Sequence, residues 1–364
     1  MAILAVVSCT MALSAAACTV TDSTACSHVW DEGTVITEPT YTETGKKEYT
    51  CVKCGEKKTA EIEKLVCAEH DWEIKDRKEP TYTEAGYDEK ICRICGVEVK
   101  EDLGKKALPV ASPEKTVAAA TNEELIASVK AELGGSDSVE FTLGEGSFAL
   151  KDQGINTTGK TVILNGAGKD KTVYMTVYNA QKGGEYGAEY TFDGAKAVVF
   201  KNMTLDLGEH DFNGFIRPET IIFENCVIDG RLTYCGSKKA MFVNCEFNNS
   251  QYNMWLYSAL SYEFYGCNFH SEAGKFLNAY FTSEQTSPVS VLLSGCFFSA
   301  DVEKYPVLKI KSSAGIIWKV TVENSALGEN VSEWYNMETG VNASSTVTID
   351  GKVVWENGAK TENN

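Results

Sequence analysis

FKNMTL (200–205), FENCVI (223–228), FVNCEF (242–247), FYGCNF (264–269), LSGCFF (293–298) and VENSAL (322–327) share one form. Each reads apolar, any residue, Asn or Gly (Asn in the last as well), Cys or a similar small or apolar residue, any residue, apolar. Apolar side chains fall at the first, fourth and sixth positions. A flat strand would place them at the first, third and fifth. A bend therefore falls at the Asn or Gly, the residues that tolerate left-handed backbone. The steps from Met203 to Cys226, Cys245, Cys267, Cys296 and Ser325 are 23, 19, 22, 29 and 29 residues. Repeats of roughly 20–30 residues built from short strands and turns predict a solenoid. A right-handed parallel β-helix meets these demands, and the longer steps place insertions near 271–289 and 299–320. Most of the five cysteines of this region, Cys226, Cys235, Cys245, Cys267 and Cys296, then form an interior stack of small buried groups.

Working outward, SVEFTLGEGSFAL and TVILNGAGKDKTV supply further short strand-like runs, and STVTIDGKVVW a closing pair. Before them, Thr121-Asn-Glu-Glu124 forms a capping box, with Leu125, Ile126, Val129 and Leu133 at helical spacing and Gly134-Gly135 as a stop. The predicted β-helix domain runs over 121–358, with a tail at 359–364. Residues 104–120, containing Pro109 and Pro113, read as a linker.

Residues 26–66 and 67–103 are two copies of one unit. PTYTE recurs at 39–43 and 80–84, and Cys-x-x-Cys-Gly at 51–55 and 92–96. Each unit holds three cysteines and a histidine: Cys26, His28, Cys51 and Cys54, then Cys67, His70, Cys92 and Cys95. Soft ligands paired on two turns suit a structural tetrahedral zinc, giving two sites. Disulfides are the alternative for an exported chain, although three cysteines cannot all pair within a unit. Trp30 and Trp72 are expected to be the small cores of units too short to bury much else.

Residues 1–18 are apolar and small, uncharged, and end in Ala-Ala-Ala-Cys. They read as an export signal, with Cys18 a candidate for lipidation and 19–25 a short linker. No Lys or Arg precedes Lys46. The chain carries 34 Lys+Arg against 51 Asp+Glu, a net charge of −17. That excess disfavours nucleic acid and anionic lipid, leaving a lipid anchor as the expected membrane contact.

The Cys/His units resemble a small repeat of surface proteins from gut Firmicutes, with Cys-x-His-x-Trp, Pro-Thr and Cys-x-x-Cys-Gly. The resemblance implies a spacer or attachment module. Residues 121–356 resemble the pectate-lyase-like β-helix superfamily. TNEELIASVKAEL matches its capping helix, and the Asn-Cys rungs match β-helix surface proteins of gut bacteria. That scaffold hosts lyases, hydrolases, adhesins and passive stalks. Lyases of this kind use an acidic calcium cluster, a basic proton acceptor and often a Trp-Ile-Asp-His-like rung, which this chain lacks.

The nearest cluster is Asp206, Glu209, His210, Asp211 and Arg217, with the acids as calcium ligands and His210 as general base. Glu224, Asp229, Glu246 and Glu263 offer carboxylate pairs on adjacent rungs but no signature. The other candidate is an aromatic binding face: Tyr252, Trp255 and Tyr257, with Tyr186 and Tyr190 in a separate loop. The reading favours an exported surface protein that binds a glycan or a surface protein. A polysaccharide lyase or glycoside hydrolase is its competitor, and a stalk without a ligand the third.

Overall fold

The computed structural model describes residues 26–177, 187–208, 212–249, 252–279, 288–311 and 315–361. Residues 1–25, with the expected export signal and Cys18, and Tyr186, Glu209, His210 and Asp211 lie outside the described residues. The chain divides into two compact units: Met1–Lys78 with Tyr87–Asp102, and Glu79–Gly86 with Leu103–Asn364.

The first unit carries two three-stranded antiparallel sheets. Thr34–Thr37, Gly45–Thr50 and Lys57–Ile62 form one; Trp72–Lys78, Gly86–Cys92 and Glu98–Gly104 form the other. In both, the Cys-x-x-Cys-Gly segment follows the central strand. Gly55 N–H donates to the Cys51 carbonyl and Gly96 N–H to the Cys92 carbonyl, each at 2.8 Å. Both glycines hold positive φ, 77° and 72°, in open space. The left-handed backbone, not crowding, is what requires glycine there.

The second unit is a right-handed parallel β-helix. A rung runs from a long sheet, through a sharp bend, into a second sheet, and returns across a third face. Lys201↔Glu224, Glu224↔Val243, Val243↔Tyr265 and Tyr265↔Ser294 hold register down the long sheet without a slip. Asn202, Asn225, Asn244 and Asn324 sit at the bends with φ of 49–54°, and Gly266 and Gly295 with φ of 60° and 66°. These are the left-handed positions expected from the repeat.

The bend also builds something the repeat pattern does not show. Asn225 Nδ2 donates to Asn202 Oδ1 at 2.7 Å, and Asn202 Nδ2 donates to Asn165 Oδ1 at 2.9 Å. Asn165 Nδ2 passes the chain on to Glu140 Oε1 at 2.8 Å. Asn202 and Asn165 each donate down one rung and accept from the next, so their half-buried polar atoms are satisfied along the axis.

Inside, like residues stack. Phe200, Phe223, Phe242 and Phe264 lie nearly parallel, with centroids 4.8–5.4 Å apart. Phe247, Phe269 and Phe298 form a second column at 4.3–4.5 Å. Their repeat is close to the strand spacing of about 4.8 Å, which sets the ring separation. Cys226, Cys245, Cys267 and Cys296 follow in equivalent positions, all buried and free. Their thiols point at backbone carbonyls of the preceding rung; Cys245 Sγ is 3.3 Å from the Phe223 oxygen. Cys235 is buried too, but it enters the core from the third face, in Tyr234–Cys235.

The helix Asn122–Glu132 caps the solenoid. Thr121 Oγ1 accepts from Glu124 N–H at 3.2 Å, and Glu124 Oε2 accepts from Ala120 N–H at 2.7 Å. This is the reciprocal capping box of the sequence. Leu125, Val129 and Leu133 are buried against the first rungs.

Two segments differ from expectation. Lys115–Ala119, read as linker, pairs in parallel with Ser138–Leu143 and opens the long sheet. Ahead of it, Leu108 and Val110 pack on an apolar stripe of that sheet's outer side, Ile163, Val199, Ile222, Met241 and Val243. At the other end, Thr346–Ile349 and Lys352–Glu356 form the closing hairpin, and Ala359–Lys360 of the tail adds a short third strand. Both segments are too short for periodicity to reveal them. The longer steps likewise contain third-face strands, Lys275–Ala279 and Leu308–Ile310, which the insertion reading left out.

Candidate metal centres and binding faces

The eight Cys and His residues gather into two clusters, Cys26–His28–Cys51–Cys54 and Cys67–His70–Cys92–Cys95. In each, the donor atoms lie within 4.8 Å of one another. Cys26 and Cys51 Sγ are 3.9 Å apart, as are Cys67 and Cys92. His28 Nδ1 lies 3.4 Å from Cys54 Sγ, and His70 Nδ1 3.4 Å from Cys95 Sγ. A tetrahedral ion with metal–sulfur bonds of about 2.3 Å and a metal–nitrogen bond of about 2.0 Å needs S···S of about 3.8 Å and N···S of about 3.5 Å. A disulfide needs about 2.05 Å between sulfurs and leaves the histidine without a role. The donor set therefore fits a metal ion, and a Cys3His set is the structural zinc type.

The thiols are unequal. Burial pushes the Cys51 thiol up, but amide N–H groups of Lys53, Cys54 and Val29 and the His28 ring outweigh it and hold the thiol at about 5. Cys26, crowded by Cys54 and Cys51, is raised to about 12. One sulfur is thus ready as thiolate, and a bound cation would complete the deprotonation of the others.

The tryptophans do not form buried cores. Trp30 is half-buried, and Trp72 is 38% exposed. Each stacks on its histidine, with centroids at 5.1 and 4.8 Å. Cys51, Cys92 and Cys95 are the buried apolar side chains among the described residues of the repeats, so the ligand cluster occupies the place expected for an aromatic core.

In the β-helix, Glu209, His210 and Asp211 of the candidate acidic cluster lie outside the described residues, and only Asp206 and Arg217 can be placed. Asp206 lies on the second sheet opposite Asp229, while Arg217 pairs with Asp193 at 2.8 Å. Glu224, Glu246 and Glu263 are tied to Lys201, Lys169 and Lys239 at 3.6, 2.8 and 2.6 Å. Asp206, Asp229, Asn248 and His270 instead form one outward row on successive rungs. With Glu272 they line an open polar cleft of about 430 Å³. His270 is held by Ser299 Oγ at 3.2 Å on Nδ1 and by Asp301 at 3.4 Å on Nε2. The sequence reading missed His270, because it lies one rung beyond Asn248 on a strand that otherwise reads as core.

The aromatic candidates divide between two places on the third face. Tyr257 packs edge-on to Tyr234 at 5.5 Å, and Tyr234 lies 6.4 Å from Phe212. Phe212 is 48% exposed, and Tyr190, one rung earlier, 65%. Tyr252 and Trp255 lie further along, with Tyr252 6.4 Å from Trp255 and 6.2 Å from Tyr305. Tyr262 is filler, fully buried, its hydroxyl accepting from the Ser258 and Ala259 amides at 2.9 Å. Phe212, Tyr234 and Tyr305 were missed. Their strands are two or three residues long, or absent, and carry no alternation to read.

One buried acid lies behind this face. Tyr174 donates its hydroxyl to both oxygens of Glu189 at 3.0 Å, and both side chains are fully buried. Burial raises the Glu189 carboxyl to about 7, against the opposing hydrogen bonds from Thr191 and Tyr174.

No family model matches the chain, and no curated protein matches it in sequence. Among solved structures, it is similar to the deglycosylated pectin methylesterase of Aspergillus niger, at a TM-score of 0.42 and 12% identity, over 66% of this chain and 85% of that one.

Proposed function

We propose that this is an exported surface protein whose β-helix retains a glycan on its third face, with the metal-bound repeats as an attachment module. The observation that carries the reading is the row Phe212, Tyr234 and Tyr257, partly exposed rings from successive rungs with centroids 6.4 and 5.5 Å apart. Rigid rings offer apolar area at low entropic cost, and a sugar ring presents an apolar C–H face to them. The acidic chain makes nucleic acid a poor partner. Export, and a lipid anchor at Cys18, belong to the same proposal; mass spectrometry of the mature N-terminus tests both.

The test is a polysaccharide array on the full chain, scored for retention and for bond cleavage. Retention without cleavage, lost in Tyr234→Ala and Tyr257→Ala, is the expected result. Retention unchanged by both substitutions overturns the aromatic assignment.

A second reading rests on the polar cleft. Asp206 and Asp229 on adjacent rungs and His270 two rungs further supply two carboxylates and a base in one row, the material for a polysaccharide hydrolase or lyase. Release of reducing or unsaturated ends, abolished by Asp229→Asn with the fold intact, would establish it in place of the first reading.

A further inference from the structure

Several lysines of the β-helix are held in ion pairs. Lys160, Lys169, Lys171, Lys201, Lys238 and Lys239 each meet a carboxylate within 4.0 Å. Lys275, Lys304 and Lys309 have no carboxylate partner among the described residues. All three converge on one tyrosine. Their ammonium nitrogens lie 5.8, 5.6 and 5.1 Å from the centre of the Tyr305 ring. Lys275 also lies 5.4 Å from the Tyr252 ring. The two tyrosine rings are 6.2 Å apart and inclined by 29°.

A chain of net charge −17 here gathers three cations, without an ion pair among the described residues, around a single ring. The ring faces offset only part of the mutual repulsion. An anion brought among the three ammonium groups relieves it. The kind of anion follows from the donors. Planar carboxylates are best matched by the fork of an arginine, and the trio contains none. Lysines act as point charges, and suit an anion whose charge is spread over three oxygens without a preferred plane.

We propose that Lys275, Lys304 and Lys309, set around Tyr305 and Tyr252, form a site for a sulfated sugar. The sulfate ester lies among the ammonium groups, and the sugar ring lies against the tyrosine pair. The inference rests on the glycan-binding reading above and names its ligand class. Tyr305 lies outside the aromatic row that carries that reading, so the two fail separately.

The test is equilibrium binding of the full chain to dextran sulfate, to uncharged dextran and to polygalacturonate, each at two salt concentrations. The triple variant Lys275→Gln, Lys304→Gln, Lys309→Gln and the single reversal Lys309→Glu are compared with the parent, and circular dichroism checks their fold. The expected result is binding to dextran sulfate that falls at least tenfold in the triple variant, with a shallower salt dependence. The reversal alone gives a partial loss. Three outcomes overturn the proposal: no binding to dextran sulfate, binding unchanged in the triple variant, or polygalacturonate bound as tightly at matched charge. Neutral-glycan retention unchanged in Tyr234→Ala and Tyr257→Ala, with sulfate binding lost in the triple variant, would count against the aromatic row alone.

Discussion

The two units of this chain hold themselves together by opposite means. A Cys/His repeat of about 40 residues buries few apolar side chains and exposes Val35, Ile36, Ile74 and Val99. Its closure depends on four ligand atoms reaching one point. The β-helix buries two columns of phenylalanine, a column of thiols and aliphatic residues from every rung. It needs no staple, because each rung covers the next. Small units must buy closure with a point contact; a solenoid spreads it over its length.

The two repeats also differ from each other. His28 Nε2 lies 3.3 Å from Glu56, so its ring is oriented from behind while Nδ1 faces the thiols. The equivalent position after Cys95-Gly96 is Val97, which offers no such acceptor. The second repeat has its own device: Asp88, buried, takes two hydrogen bonds from Arg77 at 2.6 and 2.7 Å, which hold its carboxyl below the usual range.

The largest expected effect breaks the comparison at the metal. Chelation, or Cys51→Ser with Cys92→Ser, removes a contribution on the order of 10 kcal/mol per site and unfolds the repeats. The β-helix transition stays in place, and elemental analysis falls from about two zinc per chain. No zinc, with Cys-x-x-Cys disulfides by mass spectrometry, would overturn the assignment.

The reverse experiment is Phe242→Ala. It deletes the ring between Phe223 and Phe264 and costs about 3–5 kcal/mol in the β-helix transition, with metal content unchanged.

Next in size is Glu189. Its folded carboxyl titrates at about 7, above the ordinary value of 4.5. Between those values the folded chain keeps a proton that the unfolded chain has released. This group's contribution to the β-helix therefore falls by about 3 kcal/mol as pH rises through that window. Glu189→Gln removes the loss, as denaturant titrations at pH 4.5 and pH 8 would register; an unchanged slope refutes the buried acid.

Asn225→Ala forfeits both the left-handed bend and a rung of the amide chain, at about 2 kcal/mol. Asn225→Gly restores the backbone alone, so the difference between the two isolates the bend, and what Asn225→Gly still loses against the parent isolates the hydrogen bonds.

The smallest effect separates the repeats. Glu56→Gln weakens the first metal site about tenfold, and leaves the second unchanged. Competition with a chromogenic chelator reads both sites, and equal weakening of the two would show that Glu56 is not a positioning residue.

Much of the fold is legible in the residues because its signals are local and recur. Asn202, Asn225 and Asn244 mark the bends through their own backbone preference, and Thr121 with Glu124 writes the helix start within four positions. The ligand residues are legible for the same reason, since their spacing is set by two tight turns. The amide chain is not, although every asparagine in it is visible: whether side chains meet depends on the register of strands some 20 residues apart. Trp72 misled because burial is decided by what covers a ring, and in this unit the ligand cluster takes that place.

The sequence by itself determined the rung, its bend, its interior column, the cap and the four-ligand sets. Each is a short-range pattern imposed by chain geometry and by the need to bury apolar groups. Only the tertiary structure decided which polar and aromatic side chains become neighbours on the outside. Asp206 meets Asp229 and not Arg217, and Tyr234 joins Tyr257. Lys275, Lys304 and Lys309 meet at Tyr305, because turns of unequal length set the third face, and nothing local records their sum.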